Sequence, residues 1–189
     1  MFDKKKEEPK GNRAFRRKEE TINRSKPVVK KEDVKIKHKK PPIFDAVCNT
    51  FGMNLSHMIF TYGDTIYVPN GQELPDHIIE HEKVHMKQQS HEYINKTHDV
   101  EFSNEPLDIR KMTPELWWGK FLREPAFRVD QEARAYARQY RFICKTLKDK
   151  NARAKVLYDF AGILSGKSYG NCISHVLATK EIKKFTGGI

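Results

Sequence analysis

Two short runs of mostly hydrophobic residues, at positions 58–62 and 65–68, have the length of β-strands. Both segments are rich in β-branched and aromatic residues, and Gly63-Asp64 between them favours a tight two-residue turn. The pattern therefore predicts a β-hairpin over residues 58–68.

Apolar residues before and after this hairpin recur every three to four positions, which is the spacing of one helix face. Asp76 is expected to cap the first helix after the hairpin, because its carboxylate can accept hydrogen bonds from free N–H groups. The sequence predicts an α+β domain in which this helix packs behind a small sheet. The predicted helices are 43–51, 76–92, 114–122, 125–148, 152–164 and 173–185. The predicted core of the later helices contains Phe142, Ile143, Val156, Leu157, Phe160, Ile163 and Leu164.

Residues 1–42 lack this periodicity, and we expect them to form a disordered basic tail before one domain over residues 43–189. Residues 1–40 contain 16 Lys or Arg and 7 Asp or Glu, so they carry +9 of the chain's net charge of +11. This charge predicts either an arm that binds nucleic acid or an acidic protein, or a solubilising extension.

The sequence has neither an early apolar stretch of the secretory type nor a run of 18 apolar residues. We therefore expect a protein that has no membrane partner and begins in the cytoplasm. Cys48, Cys144 and Cys172 are odd in number and far apart, which predicts free thiols rather than disulfides or a cysteine metal site.

The helix predicted at 76–92 contains His81-Glu82-Lys83-Val84-His85, which matches the zinc-protease motif His-Glu-x-x-His. Residues four apart lie on one face of a helix, so His81 and His85 can bind the same zinc ion. Glu82 would then lie beside the metal and act as general base on a zinc-bound water, the nucleophile of peptide hydrolysis. Lys83 is a departure, because this position is usually uncharged in such helices.

Two residues compete to be the third protein ligand that a catalytic zinc usually has. His91 has the spacing of the metzincin motif, but Gln88 occupies the position of that motif's glycine. On an uninterrupted helix His91 would lie nearly two turns beyond His85, too far to bind the same ion. Glu132 lies at the edge of the buried face of the helix predicted at 125–148, where small alanines allow another helix to approach.

Four groups of residues carry a resemblance to known proteins. They are His81-Glu82-Lys83-Val84-His85 with Gln88-Gln89, Trp117-Trp118 with Phe121-Leu122-Arg123-Glu124-Pro125 and Phe127-Arg128, Glu132-Ala133-Arg134-Ala135-Tyr136 with Gln139, and Leu164-Ser165-Gly166 with Tyr169-Gly170-Asn171. On these residues, the segment 64–185 resembles small gluzincin-like proteins encoded by tailed bacteriophages. The resemblance implies a zinc-metallopeptidase fold, with a glutamate on a second helix as third ligand and a phage or host protein as substrate.

The same resemblance implies a residue that stabilises the tetrahedral oxyanion, a role that Tyr or His plays in gluzincins. Tyr136, Tyr169 and His175 are the candidates, and each has the alternative of a structural role. Arg128 lies one turn before Glu132 and is a candidate to orient it.

Three functions stay open on the sequence alone. The first is a zinc-dependent peptidase that acts on a protein or peptide, with Glu82 as base. The second is a structural or assembly protein of a virion, whose tail binds nucleic acid or an acidic partner. The third is a DNA-associated protease that the tail recruits. Glu82 and an open zinc position favour the first, because a structural zinc site normally has four protein ligands. The expected location is the cytoplasm of an infected bacterial host, with packaging in the virion as a further possibility.

Overall fold

The computed structural model of the chain describes residues 34–90 and 112–188. This part of the chain has an α+β fold, mostly helical with one small sheet, which confirms the predicted class. Its strands are β1 (Lys35–Lys37), β2 (Phe60–Tyr62) and β3 (Thr65–Tyr67). Its helices are α1 (Phe44–Phe51), α2 (Asp76–Gln88), α3 (Pro114–Arg123), α4 (Pro125–Cys144), α5 (Lys150–Leu164) and α6 (His175–Lys184), with a 3₁₀ turn at Lys167–Tyr169.

β2 and β3 form the predicted hairpin. They are antiparallel, with Thr61 opposite Ile66. Gly63 in the turn has a φ of 62°, a left-handed conformation that glycine adopts without strain. β3 is the central strand of the sheet and is buried along its length, so β2 forms one edge and lies beside α2.

β1 forms the other edge, although Lys35–Lys37 lie in the segment that the sequence predicts to be disordered. β1 runs parallel to β3, with Ile36 opposite Ile66. A three-residue Lys-Ile-Lys strand has too little periodicity to be recognised, and its order comes from pairing with a strand that lies much later in the chain. Residues 1–33 of the predicted tail lie outside the described residues. Ile36 and Val34 pack on a small apolar cluster of Ile66, Val68, Leu74 and Ile79.

Asp76 is the first residue of α2 rather than its cap. Pro75 precedes the helix in an extended conformation, and no side chain accepts a hydrogen bond at this end. The charge of Asp76 still favours the helix, because it lies near the positive end of the helix dipole. α2 ends at Gln88, which is the position of the metzincin glycine and lies four residues before the predicted end of this helix. The prediction of an uninterrupted helix from His85 to His91 is therefore wrong.

α4 is the central helix, and it packs mainly against α2 while also contacting α3, α5 and α6. Pro125 at its first position fits a helix start, since proline lacks only an N–H that would have no partner there. Ala133, Ala135 and Ala137 are almost completely buried, and their small side chains allow the neighbouring helices to approach closely. The buried face of α4 therefore carries Glu132 to α2.

The main core lies among α1, β2 and the helices from α3 to α6 and contains Leu157, Phe160 and Leu164, as predicted. Of the other predicted core residues, Ile143 and Val156 are only partly buried against this core, Phe142 is not part of it, and Ile163 has 47% of its surface exposed. The buried residues of α5 recur three and four apart, and Ile163 falls between them on the outer face. The three cysteines are free, as predicted. Among the described helices, none has both the length and the apolar character needed to cross a membrane.

Deleting residues 1–40 is expected to destabilise the domain, whereas deleting residues 1–33 is expected to leave its stability unchanged. The longer deletion removes β1 and exposes apolar surface around Ile36 worth about 2–3 kcal/mol. Its melting temperature should therefore be lower by roughly 5–10 °C, as measured by circular dichroism. Equal melting temperatures for the two truncated proteins would contradict a structural role for β1.

Candidate metal centre

His81, His85 and Glu132 form a buried cluster where α2 meets α4. The Nε2 atoms of the two histidines are 3.1 Å apart. Glu132 directs one oxygen to each histidine: Oε2 is 3.4 Å from Nε2 of His81, and Oε1 is 3.4 Å from Nε2 of His85. The structure thus brings together the three residues predicted as ligands, and this group could hold a metal ion. His91, the alternative ligand, lies outside the described residues.

The spacing of these atoms fits a metal ion. Ligands that lie about 2.0–2.1 Å from a four-coordinate ion are roughly 3.3 Å apart from one another. The two Nε2 atoms are 3.1 Å apart, and each lies 3.4 Å from a different oxygen of Glu132. One ligand atom from each of the three residues can be chosen so that all lie within 4.8 Å of one another. In addition, Oε2 of Glu132 is buried and accepts no hydrogen bond from the described residues. A buried carboxylate oxygen without a donor is costly, and a cation at this position removes that cost.

The pKa values of His85 and Glu132 also indicate that a cation balances the charge of the cluster. Burial alone would lower the pKa of His85, but the adjacent Glu132 carboxylate outweighs this effect and raises the pKa well above its usual value. Burial alone would raise the pKa of Glu132, but His85 and His81 hold it well below its usual range. The carboxylate therefore stays charged, and without a metal ion a proton on His85 supplies the balancing positive charge.

Glu82 lies beside the cluster without belonging to it. Its carboxylate oxygen Oε2 accepts a hydrogen bond of 2.7 Å from the hydroxyl of Thr61 on β2, and both residues are buried. This bond fixes the direction of the Glu82 side chain. The hairpin therefore has a function at the site, because its edge strand orients the carboxylate that the motif places on α2.

A cavity adjoins the cluster, and His81, Glu82, His85 and Glu132 all line it. Most of its other walls are apolar, which keeps bulk water away from the charged groups and strengthens electrostatic interactions inside. α1 and the segment that leads to β2 supply one wall, and α3 supplies another. The remaining lining residues are Val47, Phe51, Leu55, Met58, Ile59, Phe60, Thr61, Trp117, Trp118, Phe121, Ser168 and Tyr169.

Tyr136 and Tyr169 differ in their positions relative to the cavity. The ring of Tyr136 lies edge-on to His81, with 4.6 Å between the ring centres, and its hydroxyl is 3.2 Å from that of Tyr169. Of the two, only Tyr169 lines the cavity. Burial and the charge of Glu132 raise the pKa of both phenols, so both hydroxyls keep their protons and can donate hydrogen bonds.

Two predicted residues do not reach the cluster. His175 lies on α6, where its ring packs on Tyr158 and its Nε2 is 2.9 Å from the Tyr158 carbonyl oxygen. Arg128 does not orient Glu132. Its guanidinium instead donates hydrogen bonds to the carbonyl oxygens of Phe121 and Tyr169, which joins the end of α3 to the 3₁₀ turn. Arg128 therefore acts on the site indirectly, through its contacts with Tyr169, Phe121 and the ring of Phe51, which all line the cavity.

Three buried residues at the site received no role from the sequence analysis. Thr61 holds Glu82. Gln139 and Gln88 present their side-chain oxygens to the Nδ1 atoms of His81 and His85, at 3.0 and 2.7 Å. Helical spacing could have identified both glutamines, because Gln88 lies three residues after His85 and Gln139 lies seven residues, or two turns, after Glu132.

Comparisons with known protein families, with curated proteins and with solved structures find no match. The gluzincin resemblance therefore stays a prediction from motifs. Function has to be inferred from the residues of the site and their geometry.

Replacing His81, His85 or Glu132 by alanine is expected to reduce metal affinity by more than about 100-fold, because each change removes a ligand rather than a supporting contact. Elemental analysis of the purified proteins and competition with a chelator measure this loss. His175→Ala is the control, since it removes a histidine that lies away from the cluster. Loss of metal in His91→Ala, with metal retained in Glu132→Ala, would instead identify the metzincin arrangement.

Metal affinity is also expected to keep rising at pH values above those at which an ordinary histidine loses its proton. The raised pKa of His85 means that a proton occupies the metal-free cluster at neutral pH, and the metal ion must displace it. Affinity for Co²⁺, followed by its visible absorption, should therefore keep increasing by up to about tenfold per pH unit above pH 7. An affinity that levels off near pH 6.5 would show that Glu132 does not raise the pKa of His85.

Proposed function

We propose that this protein is a zinc-dependent metallopeptidase of the gluzincin type, which hydrolyses a phage or host protein in an infected bacterial cell. The observation that carries the proposal is the position of Glu82. Its carboxylate faces the same cavity as the three candidate ligands, is oriented by Thr61, and is not part of the ligand set. A purely structural site has no need of such a group.

The ligand set supports zinc as the metal. Two imidazoles and one carboxylate, with no further protein ligand among the described residues, form the combination that catalytic zinc sites use in peptidases. When bound by His81, His85 and Glu132, zinc would supply a Lewis acid that polarises a peptide carbonyl and acidifies a water molecule.

Glu82 is the proton carrier in this proposal. Its carboxylate takes a proton from the attacking water as the new C–O bond forms, and it gives this proton to the leaving amine nitrogen as the C–N bond breaks. The hydrogen bond from Thr61 occupies Oε2, which leaves Oε1 for the proton. The mostly apolar walls of the cavity support this role, because surroundings of low polarity strengthen the electrostatic interactions of the Glu82 carboxylate.

Tyr169 is the residue that we assign to the oxyanion. It is a neutral phenol that lines the cavity, so its O–H can donate to the negative oxygen that develops on the substrate carbonyl. The hydroxyl of Tyr136 contacts that of Tyr169, and Arg128 bonds to the Tyr169 carbonyl oxygen. Tyr136, a candidate for this role in the sequence, is therefore proposed to hold Tyr169 in place.

A structural or assembly protein of a virion is the second candidate, and the burial of the site favours it. His81, Glu82, His85 and Glu132 are only 4–6% exposed. In this alternative the metal ion stabilises the contact between α2 and α4, and the basic segment 1–40 binds nucleic acid or an acidic partner.

Glu82→Gln separates the two candidates. The variant is expected to keep its zinc, because Glu82 is not a ligand, and to lose proteolysis by about 10² to 10⁴-fold, because an amide cannot accept the proton. Since the substrate is unknown, new protein N-termini should be compared by mass spectrometry in bacteria that express the wild type or the variant.

Glu80→Gln is the matched control for this experiment. Glu80 is as buried as Glu82 and lies on the same helix, but it pairs with Arg138 and Lys83 instead of facing the cavity. Its variant should retain cleavage despite a similar change in charge. Identical cleavage products from wild type and Glu82→Gln would favour the structural candidate.

A further inference from the structure

Four buried glutamines surround the metal cluster, and both ends of every side-chain amide are hydrogen-bonded. Gln89 bridges the Gly63 N–H and the Thr61 carbonyl oxygen of the hairpin. Gln131 accepts from the indole N–H of Trp117 and donates to Asp130. Gln139 lies between His81 and His77. Gln88 lies between His85 and the backbone of α4.

The orientation of Gln88 is determined by its contact with α4. Its Nε2 is 3.0 Å from the backbone carbonyl oxygen of Gln131, which can only accept a hydrogen bond. The amide nitrogen must therefore face Gln131, and the amide oxygen must face Nδ1 of His85 at 2.7 Å. An amide oxygen also only accepts, so Nδ1 of His85 carries the hydrogen.

This arrangement leaves the other ring nitrogen of His85 for the metal. In a neutral imidazole with a hydrogen on Nδ1, Nε2 has a free lone pair, and Nε2 is the atom that faces His81 and Glu132. Nothing on α2 itself imposes this choice, because Gln88 alone could turn its amide either way. The choice comes from the carbonyl oxygen of Gln131, the residue immediately before the ligand Glu132.

We infer that Gln88 is a positioning residue for the metal: it holds His85 in the tautomer that binds through Nε2, and α4 imposes this orientation through Gln131. Docking of α4 on α2 then accomplishes two things together. Glu132 supplies one ligand. The carbonyl oxygen of Gln131 orients Gln88 and thereby sets the tautomer of a second ligand, His85, on α2. The inference rests on the proposed metal site but not on the proposed proteolysis.

Gln88→Met tests the inference, with Gln89→Met as the matched control. Methionine keeps the length of the side chain and removes both amide hydrogen bonds. The two glutamines are adjacent, both buried and each bonded to a backbone carbonyl oxygen, but only Gln88 contacts a histidine. Gln88→Met should lower zinc affinity by about 10- to 100-fold in chelator competition, and Gln89→Met by less than about threefold. Gln88→Glu should not restore full affinity, because its second carboxylate oxygen would face the Gln131 carbonyl oxygen and has no hydrogen to donate.

Nitrogen NMR of the zinc-loaded protein provides a measurement that needs no variant. With ¹⁵N-labelled histidine, His85 should show a hydrogen on Nδ1 and a metal-bound Nε2. Binding through Nδ1 would overturn the inference even if the Gln88 variants failed to fold. Equal zinc affinities of Gln88→Met and Gln89→Met would overturn it too, while leaving the metal site intact. A wild-type protein that binds no zinc would overturn the metal site itself and this inference with it.

Discussion

The structure depends on the burial of one carboxylate, that of Glu132, between two histidines of another helix. A charge removed from water costs several kcal/mol unless a cation and hydrogen bonds replace its hydration. Here the described residues leave one oxygen of Glu132 without a hydrogen-bond donor, so a cation held next to the carboxylate, between it and the two histidines, has to compensate. The contact between α2 and α4 is the main helix contact around the site. Its stability is therefore coupled to the cation, whether a proton or a metal ion, that the cluster holds.

Neutral glutamines are well suited to surround such a cluster. Glu82 and Glu132 already place two carboxylates around one small cavity. Further carboxylates behind the histidines would orient the rings equally well, but they would add negative charge to a poorly solvated region where repulsion is strong. The amides of Gln88 and Gln139 supply the same acceptor oxygen without a charge. Their amide nitrogens also satisfy neighbouring acceptors, so no polar group of the pair is left unpaired.

The sequence predicted the site best where the residues that identify a feature all lie on one helix. His81, Glu82 and His85 follow from local spacing, and Glu132 follows from the periodicity of α4 together with its small neighbours. Three of the errors have a shared cause, because each concerns a partner from another part of the chain. β1 is ordered by β3, Arg128 bonds to the turn at Tyr169 rather than to Glu132, and His175 packs on Tyr158. A pattern within one helix shows which face is buried, but it does not show which distant group that face meets.

The two sides of the cavity are held by different forces, and this difference bears on the proposed chemistry. The side with the candidate ligands is fixed by directional hydrogen bonds with Thr61, Gln88 and Gln139. On the opposite side, the hydrogen bonds formed by residues 41–58 in the described structure remain within that segment. Its contacts with the rest of the site are apolar or, for Phe51, with the guanidinium of Arg128. Such contacts tolerate displacement better than hydrogen bonds do, and flexible Met58 is part of this wall. A peptidase needs ligands that stay in place and a wall that adapts to a polypeptide, whereas a structural metal site needs only the first.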